Sequence, residues 1–326
     1  MRKNNMVFFN FFEFSIFFLE IALLFFLFFL FFHIMSGTVG AGVGENVTVF
    51  SELEIGKTAP IVQNINIEDG SINLIPNTTK LVNCSVIIAD YNGDTTIINM
   101  TSELFDNSAS AKGSPDDNND HYTNSTCFIN YTYGDENTVL ATCLFDLWYY
   151  SNAGTWNCSV SVADDSNMTT NESNTTVVQA LLALAVPDSI DYGRVNATEV
   201  SDENITNITN MGNVMFNMSF LGYATSEGDG LAMNCTLGNL KNISIEHEKY
   251  NLTESNPGAL TLSQADNVYE NLTTNTLVRQ FNLDKRTNNN LNDVWNETYW
   301  RIYAPLGVAG SCQGNIVFGA VQSGES

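Results

Sequence analysis

The chain has 326 residues, with 36 acidic side chains against 12 Lys and Arg and a formal net charge of −24. Such a surface repels nucleic acid and anionic lipid, so neither is an expected partner. With 44% apolar residues, and about 285 residues left once a leader is set aside, the length suits two ordinary domains with real cores.

In chain order, Arg2 and Lys3 precede an apolar run from Phe14 to Phe32 that only Glu20 interrupts. A positive start followed by an apolar stretch directs export, with the N-terminus held inside. The run exceeds the usual signal core of about 7–15 residues and approaches the ~20 that span a bilayer. Small residues follow, Ser36 to Gly42, with an acceptable cleavage site at Val39-x-Ala41. Residues 1–41 therefore read as a signal peptide or an N-terminal membrane anchor, the only part expected to meet a membrane.

Residues 42–58 form an extension. Within it Val47, Val49, Leu53 and Ile55 stand at a period of two, the pattern of a strand with one apolar face. Two uses are open: strand A of the following domain, or a strand donated to the sheet of a neighbouring subunit.

From residue 59 on, short β-branched and aromatic runs alternate with Asn, Asp and Gly turns. The run Lys80–Ile88 and the run Trp156–Val162 show period-2 alternation, which predicts half-buried strands. The fold class is all-β: two tandem antiparallel sandwiches, residues 59–178 and 179–326, after the N-terminal hydrophobic segment. Val177–Val186, bounded by Pro187, is the expected linker strand between them.

Asp90-Tyr91-Asn92-Gly93-Asp94 sets oxygen ligands at alternate positions with a glycine to relax the turn. Asp90, Asn92 and Asp94 are candidate calcium ligands, and a plain Asx/Gly turn is the competing reading. The acidic cluster Asp116 to Asp120 reads as a mobile loop. Trp148 and Tyr150 share one strand face and Tyr149 takes the other; core packing is favoured over a sugar-binding face.

All six cysteines, Cys84, Cys127, Cys143, Cys158, Cys235 and Cys312, fall in the exported part, and their even number reads as disulfides. No C-x-x-C spacing occurs, and only His121 and His247 remain as nitrogen ligands there, so zinc is not expected. Sequence alone leaves the pairing open. Cys127 and Cys143 flank the turn Tyr133–Asn137 and so are placed to bridge neighbouring strands. Cys235 and Cys312 are the only cysteines of the second domain and pair by elimination.

Nineteen Asn-x-Ser/Thr triplets run from Asn46 to Asn296, more than this composition makes by accident. The acceptor positions are Asn46, Asn77, Asn83, Asn99, Asn124, Asn130, Asn157, Asn167, Asn171, Asn174, Asn196, Asn204, Asn207, Asn217, Asn234, Asn242, Asn251, Asn271 and Asn296. The triplet is the acceptor for N-linked sugar on an exported protein, so N-linked glycans are the expected covalent groups. Three triplets have a cysteine in the middle. If Cys84, Cys158 and Cys235 face a core, their Asn neighbours must face solvent.

Catalytic signatures are missing. There is no G-x-S-x-G elbow, no H-E-x-x-H and no phosphate loop, and two histidines in the exported part leave little for acid–base work. The expectation is no enzyme and no cofactor apart from glycans and the calcium candidate.

Asn152-Ala153-Gly154-Thr155-Trp156-Asn157-Cys158 resembles the F strand of immunoglobulin-type domains, with Trp156 where the corner tyrosine usually stands. That resemblance implies Cys84 as the B-strand partner of Cys158, bonded across the core. Ser189–Val195 followed by Ile208–Phe216 resembles the opening of sandwich domains that recur in tandem on surface proteins. The closing stretch Thr298–Gly314 resembles the endings of exported β-sandwich proteins of small-genome archaea. Together these imply a structural glycoprotein of the cell exterior that associates with itself as a filament or surface layer. An adhesin or receptor ectodomain is the first alternative, and a carbohydrate-binding module or glycosidase the second.

Overall fold

Apolar side chains at every second position bury one face of most of the long strands. In the computed structural model the described residues are 48–287 and 294–323. Residues 1–41, expected from sequence to be a signal peptide or anchor, and Asn46 and Val47 lie outside them. Residues 48–55 belong to no strand and are exposed throughout.

The chain from Gly56 onward packs as one unit. Its first sheet has the order β1-β3-β7-β6: β1 (Ile61–Ile67), β3 (Thr79–Ala89), β6 (Phe128–Asn130) and β7 (Thr138–Trp148). The facing sheet has the order β2-β9-β8-β4-β5: β2 (Ser71–Ile72), β4 (Ile97–Asp106), β5 (His121–Asn124), β8 (Gly154–Asp164) and β9 (Thr169–Val178). All these pairs are antiparallel except β2–β9. Alternation puts Val82, Cys84, Val86 and Ile88 of β3 inward, with Trp156, Cys158, Val160 and Val162 of β8, in one apolar cluster.

The second half uses β10 (Leu184–Ala185), β11 (Asn204–Asn210), β12 (Phe216–Tyr223), β13 (Leu231–Gly238), β14 (Asn242–Ser244), β15 (Glu248–Asn251), β16 (Glu270–Asn271), β17 (Leu277–Leu283), β18 (Trp295–Ile302), β19 (Val308–Gln313) and β20 (Asn315–Gln322). They form three sheets, of order β10-β11-β18-β15-β16, β17-β12-β20 and β14-β13-β19. One short helix, α1 (Leu262–Val268), begins at a Thr261–Gln264 capping box that satisfies its first free N–H groups. No helix among the described residues is long and apolar enough to cross a membrane. Phe216, Phe220, Tyr250 and Trp300 centre the larger core, and Ala232, Cys235, Ile243 and Ile302 the smaller.

The halves are joined by polar contacts rather than by a loose tether. The Asn213 side chain donates to the carbonyls of Ser151 and Gln179, both at 3.0 Å, and accepts from the Leu181 amide at 2.6 Å. The Arg286 guanidinium stands 4.6 Å above the Tyr150 ring. The stretch from Val177 runs out of β9 and re-enters a ladder at β10.

Two sequence expectations need correction. Residues 116–120 form a bonded turn rather than a loose loop. Asp117 bridges to His121, Asp106 donates its amide to the Asp120 carbonyl at 2.9 Å, and the Thr123 hydroxyl holds Asp116 at 2.7 Å. The buried His121 ring behind it stacks on Phe105 at 5.6 Å, which gives this polar turn a fixed floor. The second correction concerns Asn217, described below.

Candidate assembly interface

The cysteines form three bonds: Cys84–Cys158, Cys127–Cys143 and Cys235–Cys312. The first crosses between the two facing sheets, because β3 and β8 belong to different layers. The second ties the β5–β6 connection to β7. The third links residues directly opposite on β13 and β19. Beside the first bond the Trp156 indole N–H donates to the Asn152 carbonyl at 2.7 Å. A corner tyrosine uses its hydroxyl for the same job, fixing the turn before the strand.

The acceptor asparagines divide by strand face. Asn77, Asn99, Asn167, Asn171, Asn174, Asn196, Asn207, Asn234, Asn242, Asn271 and Asn296 are exposed. Asn83, Asn124, Asn130, Asn157, Asn204 and Asn251 are half-buried. Asn217 does not fit an acceptor. It is 7% exposed, and its side-chain oxygen Oδ1 accepts from the Phe281 and Asn282 amides at 3.0 and 3.1 Å. A β-bulge against β17 turns it toward the interior.

In the calcium candidate the oxygens are held inside the turn. Asp90 is buried and accepts from the Asn92 amide and the Thr96 hydroxyl, both at 2.9 Å, while Asn92 accepts from the Thr58 amide at 2.8 Å. Asp94 begins a short 3-10 turn. Among the described residues no group of three or more His, Cys, Asp and Glu converges. The aromatic trio is packed inward: Tyr149 and Tyr150 are buried, and Trp148 stacks on Tyr150 at 5.9 Å.

A polar cavity of about 620 Å³ lies among Glu246, His247, Lys249, Asp266, Glu270 and Arg279. Its charges are spent on one another. Lys249 meets Asp266 at 2.5 Å, and Arg279 meets Glu270 at 2.6 Å. Burial lowers the His247 imidazole below its ordinary value, against the pull of Glu246.

A different feature has unmet capacity. Residues Val308–Gln322 run as β19, a step at Gly314, and β20. Each of these strands pairs on one side only, β19 with β13 and β20 with β12. Across a groove from them lies the segment 186–197, which belongs to no strand. Two cavities of about 440 and 460 Å³ share Ile190, Tyr192 and Met233 and so form one groove. Ile316 and Phe318 floor one end, Val195 and Val308 the other. Inside it Glu248, 1% exposed, accepts from the Tyr192 hydroxyl at 2.9 Å through Oε1, while Oε2 has no partner among the described residues. Burial pushes this carboxyl up to about 7, and the Tyr192 bond pulls the other way. Burial also raises the Tyr192 phenol, reinforced by the Glu248 charge.

The extension supplies the complementary property. Val49 is 80% exposed, Leu53 83% and Ile55 79%. The structure does not bring these residues into a ladder, and β1, starting at Ile61, is the first strand among the described residues.

No family model and no curated protein matches the chain. Solved structures with some likeness include a chaperone–tip adhesion subunit complex of Csu pili from Acinetobacter baumannii: 10% identity, 77% of this chain, 96% of that one, TM-score 0.34. Another is a chaperone–tip adhesin complex of CFA/I fimbriae: 12% identity, 82% and 84% covered, TM-score 0.30. A third is a carbohydrate-binding module of the β-sandwich superfamily: 11% identity, 82% and 98% covered, TM-score 0.24. Likeness at these scores leaves function to the chain's own residues.

Proposed function

We propose that this chain is a non-enzymatic structural subunit of the cell exterior that associates with itself into a surface filament or layer. The observation that carries the reading is the segment 48–55, whose alternate apolar side chains lie exposed and outside any ladder. About 1.5–3 kcal/mol is at stake for each large apolar side chain that a partner removes from water. Three disulfides, with no free cysteine among the described residues, suit an oxidising, extracellular compartment. The sequons add a glycosylated exterior, and the resemblance of Thr298–Gly314 makes an archaeal surface the expected setting.

Electron microscopy of the native protein on its cells tests the reading. Regular fibres or a lattice are expected. Isolated particles only, under conditions that preserve surface appendages, would overturn self-assembly in favour of a monomeric adhesin or receptor. Hydrolytic activity lost on changing one carboxylate would overturn the non-enzymatic part.

A further inference from the structure

We propose that the groove between residues 186–197 and the free edge of Val308–Gln322 receives residues 48–55 of a second copy as an added β-strand, with Ser51 set against Glu248. The inference rests on the self-association reading above and names its site.

Four observations support it. First, the edge is open along both strands, and an added strand would take up its unpaired N–H and C=O groups. Second, the lengths agree. β20 alone has 8 residues, a ladder of roughly 26 Å, the extent of 48–55 when extended. Third, the odd positions of the extension, Val47, Val49, Ser51, Leu53 and Ile55, share one strand face. The one polar member lies at its centre, and the one unpartnered buried side-chain oxygen of the groove is Glu248 Oε2. A hydroxyl both donates and accepts, so Ser51 meets either protonation state of that carboxyl. Fourth, the even face, Thr48, Phe50, Glu52 and Glu54, carries the charges and would remain outside.

Chain reach makes the donor a second copy. Thr58 is fixed to Asn92 in the turn after β3, and Lys57 to Asp165 at the end of β8. Both anchors are at the strand ends far from Ser151 and Gln179, where the second half joins. β3 has 11 residues, so roughly 36 Å of strand separates the anchors from that junction. Residues 48–57 extended span at most about 36 Å, all of it used before the groove begins. A strand given by one copy and received by the next is a head-to-tail contact, which builds a ring if its rotation closes and an open filament if it does not.

The test uses the full chain, solubilised in detergent, with Leu53→Asp and Ile55→Asp to disable its own exposed donor. A synthetic labelled peptide of residues 46–56 is added, and hydrogen exchange and fluorescence anisotropy are read. Expected are saturable binding, slower exchange confined to 186–197 and 308–322, and about tenfold weaker binding of a Ser51→Ala peptide. Ala309→Arg with Ser311→Arg, both at exposed positions, should abolish binding while the melting temperature stays unchanged. Protection elsewhere, or no binding, overturns the groove assignment. Mass photometry of the undisabled chain separates the two claims: oligomers that persist after the Asp changes sink the groove but keep self-association, and monomers in the undisabled chain sink both.

Discussion

Replacing Glu248 by Gln should alter the pH dependence of stability in one direction. The folded carboxyl is raised from 4.5 to about 7, chiefly by burial. Between those two pH values the folded chain keeps a proton that the unfolded chain has lost. The stabilisation linked to that proton is therefore complete below about 4.5 and disappears as pH rises through 7. The size is about 2.5 units at 1.36 kcal/mol each, or roughly 3 kcal/mol. Gln keeps the acceptor for Tyr192 and removes the titration. Its new amide N–H₂ adds an offset that does not vary with pH. Guanidinium unfolding at pH 4.5, 6 and 8, followed by fluorescence with the buried Trp300 among the reporters, gives the difference between wild type and variant at each pH. That difference should shift by about 3 kcal/mol toward the variant from pH 4.5 to 8. A difference flat across this range would refute the buried, raised carboxyl and remove the polar half of the groove argument.

Glycopeptide mapping of protein from its native cells should find Asn217 bare while exposed positions such as Asn207 and Asn234 carry sugar; sugar on Asn217 would mean that β12 and β17 are not paired as described. Asn213→Ala leaves the Ser151 and Gln179 carbonyls and the Leu181 amide without their partner, a loss of about 2 kcal/mol or more. Calorimetry should then resolve two transitions where the parent shows one, and an unchanged trace would deny Asn213 that coupling role. Under mild reductant, differential alkylation should open Cys235–Cys312, where Cys312 is partly exposed, before Cys84–Cys158, whose sulfurs are fully buried. The reverse order would contradict the burial of the inter-sheet bond.

The strand class was legible because alternation is a local signal. Val82, Cys84, Val86 and Ile88 announce an inward face without reference to any partner, and that face is buried. Asn83, Asn157 and Asn234 follow by the same rule, each more exposed than the cysteine beside it. Asn217 was not legible. Its triplet looks like the others, and its burial depends on Phe281 and Asn282, more than sixty positions away. Residues 116–120 misled for a similar reason: their composition suits a solvated loop, but His121 behind them is anchored on Phe105. Glu248 reads as an ordinary strand charge, and its burial and its bond from Tyr192, 56 positions away, are not signalled locally. The groove is still less accessible to sequence reasoning. Its walls are a stretch that opens the second half and a stretch that closes it, and neither contains a motif.

The sequon pattern and the groove bear on each other. No sequon falls in residues 308–322, and the one in the facing wall 186–197 stands at its far end, at Asn196. An N-linked glycan is bulky and shields the surface around it, so a chain with acceptors over so many strands has few places where another backbone can approach. The long free edge of β19 and β20 is such a place, and a free edge is ordinarily a liability for uncontrolled pairing. Here the edge is flanked by a groove lined by Ile190, Val195, Val308, Ile316 and Phe318, with the buried Glu248 Oε2 in it. A strand that lacks a central hydroxyl loses that bond, and one that slips by a single residue turns its apolar face outward. Sugars would then limit where copies meet, and the alternation of Val47, Val49, Ser51, Leu53 and Ile55 would set the register. On this account Ser51→Val should increase the apolar content of the donor yet weaken assembly, because it leaves Glu248 Oε2 sealed without a partner. Stronger assembly by Ser51→Val would show that the groove selects for hydrophobicity alone.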